Sequence, residues 1–120
     1  MARLLIVEDN PDNMKLIRLV LSARGHSVVE LAGGERLLET LQAERPDAVL
    51  LDIQLPGEDG YQLLARLIAS GNALPPVIAL TAHAMAGDRE RAIAAGFDAY
   101  LTKPIDVGTF GQTIEQMLRR

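Results

Sequence analysis

A chain of 120 residues that is 48% hydrophobic and 23% charged is long enough to bury one core and too apolar to stay disordered. Its 12 basic and 16 acidic side chains leave a net charge of −4, which argues against direct nucleic-acid binding and against attraction to an anionic membrane surface. The absence of cysteine excludes a disulfide framework, thiolate metal sites and cysteine nucleophiles together.

From the N-terminus, Leu4-Leu5-Ile6-Val7 reads as a strand buried on both faces that ends in acid, at Glu8 and Asp9. The run is far shorter than the apolar stretch of a signal peptide, so a cytoplasmic place without membrane insertion is expected. Asn10-Pro11 supply a helix cap and a first helical residue, and Met14, Ile17 and Leu21, with Leu16 and Val20 beside them, mark the buried stripe of a helix stopped at Arg24-Gly25. His26 then falls in an expected solvated turn. Ser27–Leu31 is a short strand broken by Gly33-Gly34, and Leu37, Leu38 and Leu41 mark a second helix that is over before Pro46.

In Ala48-Val49-Leu50-Leu51-Asp52, four apolar residues close on a carboxylate, the pattern of a buried parallel strand. The carboxyl ends of such strands open on the ligand crevice, so Asp52 is expected at a site and not in the core. Residues 53–60 contain a proline and two glycines and form a constrained loop; Leu63, Leu64, Leu67 and Ile68 then space out a third helix, closed near Ser70-Gly71-Asn72. Val77, Ile78, Ala79 and Leu80 repeat the buried-strand pattern and end in Thr81. Residues 82–88, with His83 exposed among them, lead into a helix over 89–95 that is poor in large apolar side chains and only lightly held. Ala99–Thr102 is a fifth strand followed by Lys103-Pro104, and Val107, Phe110, Ile114, Met117 and Leu118 form the stripe of a last helix capped by Asp106.

Five strands alternating with five helices imply a doubly wound parallel α/β sheet, for which 2-1-3-4-5 is the common strand order. In that order Glu8, Asp9 and Asp52 crowd into one crevice, joined by Thr81 and Lys103. Three carboxylates held together repel one another unless a cation shares them, and oxygen ligands without Cys or His select Mg²⁺. Lys103 and Thr81 can receive the oxygens of a phosphoryl group, while Asp52, already ionised, can attack phosphorus without a general base and become an acyl phosphate.

These residues resemble the receiver domain of two-component response regulators along the full length of the chain. The acidic pair Glu8-Asp9, Asp52 within Leu51-Asp52-Ile53-Gln54-Leu55-Pro56, Thr81-Ala82, and Tyr100-Leu101-Thr102-Lys103-Pro104 stand in the order and spacing of that family. The resemblance implies one chemotaxis-regulator-like receiver domain over residues 1–120, with the flavodoxin-like receiver fold. It implies that Asp52 takes a phosphoryl group from a histidine kinase or a histidine phosphotransfer protein. It further implies Mg²⁺ held by Asp9, Asp52 and the backbone carbonyl of Gln54, with Glu8 acting through water, and a cis bond before Pro104 that aims Lys103 into the site. Thr81 and Tyr100 become a switch in which the hydroxyl moves inward and the tyrosine turns from exposed to buried. The fourth helix, fifth strand and fifth helix would then present a surface to a downstream protein. Glu58 and Ala86 depart from the methionine and lysine frequent in the family, and Gln54 and His83 stand where side chains influence how long the phosphate lasts.

Such a module catalyses only its own modification. A haloacid-dehalogenase-type phosphatase would need Asp-x-Asp, and here the second position is Gln54; an FMN carrier would need a phosphate cradle where this chain has Glu8-Asp9. A receiver-like adaptor that is never phosphorylated is the remaining alternative, and the intact acidic set with Lys103 argues against it. The last helix runs to Arg119-Arg120, so no effector domain is expected on this chain, whether it acts alone or is a piece of a larger protein.

Overall fold

Leu4 to Val7 and Val49 to Leu51 are entirely shielded from solvent, because apolar side chains on both faces of a strand demand cover on both faces. That demand organises the computed structural model, which describes residues 2–82 and 84–119. The elements alternate in chain order: β1 (Arg3–Val7), α1 (Pro11–Ala23), β2 (Ser27–Leu31), α2 (Leu37–Glu44), β3 (Ala48–Asp52), α3 (Gly60–Ala69), β4 (Val77–Thr81), α4 (Asp88–Ala95), β5 (Ala99–Thr102) and α5 (Phe110–Leu118). All neighbouring strands pair in parallel, in the order β2-β1-β3-β4-β5. Alternate strand residues face opposite layers. Leu5, Val7, Val49, Leu51 and Ala79 meet α2, α3 and Ala92 of α4, while Leu4, Ile6, Leu50, Ile78 and Leu80 meet α1 and α5. Each fully buried leucine or isoleucine contributes roughly 1.5–3 kcal/mol relative to exposure, so the strand interiors are the main support of the fold.

Local chemistry sets the helix starts. Asn10 accepts the N–H groups of Asp12 and Asn13 at 2.9 and 3.0 Å, with Pro11 in the first turn. α3 opens on a reciprocal cap: Asp59 accepts the Gln62 N–H at 2.9 Å and the Gln62 side chain accepts the Asp59 N–H at 2.8 Å. At α5 the structure differs from the sequence reading. Asp106 spends its carboxylate on the Gly108 N–H, 2.9 Å away, and so folds a separate turn. The helix begins only at Phe110, and Val107, 60% exposed, lies outside its buried stripe.

His26 is also corrected: it is buried, not solvated. The parallel pairing of Arg3 with Ser27 draws the chain beside β1, where His26 Nδ1 accepts the Ala2 N–H at 3.0 Å and Nε2 lies 2.8 Å from Glu115 of α5. Arg24 grips the same carboxylate through Nε and Nη2 at 2.7 and 2.6 Å. Gly111, one turn earlier on α5, makes room for the Arg24 stem, which any Cβ there would strike.

Candidate functional site

The carboxyl ends of β1, β3, β4 and β5 deliver Glu8 and Asp9, Asp52, Thr81 and Lys103 to one edge of the sheet, as the strand order requires. Asp52 is 2% exposed and held on both oxygens: Oδ1 accepts the Gln54 N–H at 2.9 Å and Oδ2 accepts the Lys103 ammonium at 2.8 Å. The Lys103–Pro104 peptide is cis, and Lys103 points into the site.

Glu8 is as buried as Asp52. Its Oε2 accepts the Asn10 N–H at 3.1 Å, and its Oε1 lies 2.6 Å from the Lys103 ammonium. That ion pair is close but poorly aligned, so Oε1 takes no well-formed hydrogen bond. Burial pushes the Glu8 carboxyl up, against the pull of Lys103. Burial also works against the Lys103 ammonium, but its hydrogen bond to Asp52 and its close ion pair with Glu8 outweigh that and hold it above the usual lysine range. One cation thus serves two buried acids. The exposed Asp9 adds a third, and an oxygen from each of Glu8, Asp9 and Asp52 lies within 4.8 Å of the others. An all-oxygen donor set of three carboxylates around one ammonium, with a buried Oε1 that accepts no well-formed hydrogen bond, fits a hard dication.

Direct pairing of Glu8 with Lys103 is not legible in the sequence, and the family resemblance implies only a water-mediated part for Glu8. Nor does the sequence reveal the bridge in which Gln54 Oε1 accepts the Ala82 N–H at 3.1 Å, joining the β3–α3 and β4–α4 loops beside the acceptor. Gly60, the first residue of α3, packs on the backbone of Asp52 and Ile53, where a Cβ would lie 2.7 Å from the Ile53 Cα. Thr81 is buried at the end of β4. Tyr100, anticipated as exposed before any switching, is instead 5% exposed, its ring packed into the core layer under α4 with the Arg89 guanidinium 5.8 Å from its centroid. Glu58 directs its charge to Arg66 of α3, 2.6 Å away. His83 lies outside the described residues.

Comparison with known proteins supplies the family. The family described as the response regulator receiver domain matches residues 4–115. The chain belongs to that family. Among relatives of the receiver domain, the polar-differentiation response regulator DivK of Brucella anthropi is 41% identical over 95% of this chain and 94% of its own length. The sensor protein GacS of Pseudomonas syringae is 39% identical over 93% of this chain, which spans only 13% of GacS. The BeF3-activated N-terminal receiver domain of Klebsiella pneumoniae RstA superposes with a TM-score of 0.88 at 30% identity, covering 98% of this chain and 99% of that one. A response regulator receiver protein from Burkholderia phymatum gives 0.83 at 37% identity, covering 99% and 96%. The receiver domain is therefore a two-component signalling module and not a classical enzyme, and its sheet order is the flavodoxin-like one. Among the described residues, no helix is long and apolar enough to cross a membrane.

Proposed function

We propose that this receiver domain is a phosphorylation-controlled switch whose acceptor is Asp52. The observation that carries the reading is the Lys103 ammonium lying 2.8 Å from Asp52 Oδ2 and 2.6 Å from Glu8 Oε1 at the mouth of the sheet. An oxygen of Asp52 attacks the phosphorus of a phosphohistidine on a histidine kinase or histidine phosphotransfer protein. The P–N bond breaks as the acyl phosphate forms, and the imidazole nitrogen keeps the electron pair. Lys103, held as a cation by its two acids, sets a positive charge beside the oxygens of the transferring group, and Thr81 offers them a hydroxyl.

Glu8, Asp9, Asp52 and the carbonyl of Gln54 would hold Mg²⁺, which when bound supplies further positive charge against the phosphoryl oxygens. Thr81 and Tyr100 carry the change to α4, β5 and α5, where a downstream protein binds; a cytoplasmic setting belongs to the same reading. Support for the switch comes from α4 itself, in which only Ala92 is buried and Ile93 is 46% exposed.

Acetyl phosphate tests the reading without knowledge of the natural donor. With Mg²⁺, intact-mass measurement should show one added phosphoryl group, lost on chelation and in Asp52→Asn. Labelling that persists in Asp52→Asn would remove Asp52 as acceptor, and no labelling of the unaltered chain would leave a receiver-like adaptor that works by contact alone.

A further inference from the structure

The hydroxyl of Tyr100 is fully withdrawn from solvent and meets no hydrogen-bond partner in the described structure. Buried phenols ordinarily find an acceptor, because an unpaired donor forfeits its hydration for nothing in return. Tyr100 lines a cavity of about 110 Å³ between α3, β4, β5 and the first turn of α4, together with Gln54, Tyr61, Thr81, Asp88 and Arg91. Most of these groups are already engaged or carry only donors. Arg91 is a donor and lies 4.4 Å over the Tyr61 ring; Gln54 Oε1 is taken by the Ala82 N–H; Thr81 has an interaction of its own. Asp88 is different. Its Oδ2 accepts the Met85 N–H at 2.8 Å, while its other oxygen takes no hydrogen bond among the described residues.

We propose that Asp88 is the acceptor for the Tyr100 hydroxyl, through a water molecule held in this cavity, and that the contact fixes where the first turn of α4 sits on β5. The space admits a water, whose share of liquid volume is about 30 Å³, and the walls offer the two or more polar partners such a water needs. Burial, and after it the Asp88 charge, hold the Tyr100 phenol above its usual range, as proximity of the two groups requires. α4 has little else to hold it on that side: Arg89 reaches the Tyr100 carbonyl at 3.4 Å, and Ala92 alone is buried. Asp88 is thus a positioning residue that links burial of the Tyr100 ring to the placement of α4. The inference deepens the switch proposed above, but it concerns the unmodified protein, so it and phosphorylation of Asp52 can fail separately.

The chain has two tyrosines and no tryptophan, so carbon-13 labelling at tyrosine Cζ gives two resonances, assigned with Tyr61→Phe. Asp88→Ser keeps a short acceptor for the Met85 N–H but withdraws the carboxylate from the cavity. It should move the Tyr100 resonance and leave that of Tyr61 in place. In urea unfolding, Asp88→Ser and Tyr100→Phe combined should change the folding constant by at least about threefold less than the product of the two singly. An unmoved Tyr100 resonance, or effects that simply multiply, would overturn the proposal. If the serine variant does not fold, Asp88→Asn, nearly isosteric but uncharged, must move the same resonance.

Discussion

A single ammonium between two buried carboxylates is the feature from which the chemistry of this receiver domain follows. Lys103 is a point charge with three donors, compact enough to reach both Asp52 and Glu8 and free to turn one N–H toward a new oxygen. Replacing Lys103 by Gln keeps the polar stem and removes the charge. Labelling of Asp52 by acetyl phosphate should then slow by roughly a hundredfold, the usual loss when one donor to a developing oxyanion is deleted. Time courses by intact mass with saturating Mg²⁺ check this; an unchanged rate would mean that Lys103 only neutralises its two acids. Glu8 belongs to the same accounting. Burial raises its carboxyl and Lys103 lowers it, so its charge is bound to the lysine and not to solvent.

At the scale of elements, the crevice depends on how closely α3 approaches β3. Gly60 begins α3 directly against the backbone of Asp52 and Ile53, and its N–H bonds the Ile53 carbonyl at 2.9 Å. Main-chain atoms cannot turn aside as a flexible side chain can. Gly60→Ala should therefore cost roughly 1–3 kcal/mol and weaken Mg²⁺ binding by shifting the loop that follows Asp52. Urea denaturation and calorimetric titration with Mg²⁺ measure the two effects, and a loss of stability with metal binding intact would separate α3 packing from the site. α4 is the opposite case. Among the described residues, its ties to the neighbouring elements are one buried alanine, Ala92, and two arginines lying over tyrosines, interactions weaker than the apolar burial that fixes α3.

Across the whole molecule, the end of the sheet remote from Asp52 is closed by contacts between residues 89 and 91 positions apart, in which Glu115 meets His26 and Arg24. The Arg24 guanidinium, with His26 second, lowers the Glu115 carboxyl from its ordinary 4.5 to about 2. A group depressed on folding contributes stability above its unfolded value and loses it as pH falls through the folded one. The clamp is thus complete above about pH 4.5 and fades toward about pH 2. Glu115→Gln should lower stability near neutrality and make the fall between about pH 5 and about pH 3 shallower than in the parent chain, as read from urea midpoints across that range. Parallel pH curves for the two proteins would show that the clamp adds nothing measurable.

Much of this architecture is written in local pattern. Four-residue apolar runs can be satisfied only inside a parallel sheet covered on both faces; three such runs end on Glu8, Asp52 and Thr81, and their alternation with helical stripes and two shorter strands let the sequence alone determine five alternating units, which the common strand order brings together with Asp9 and Lys103 at one edge. It could not say which acid Lys103 would share, that Gln54 would reach Ala82, that His26 would be buried against α5, or that the Tyr100 ring would lie inward. Those outcomes depend on loop shapes and on side chains meeting across dozens of residues. Periodicity records the faces a segment must hide; only the closed tertiary structure decides which groups find one another there.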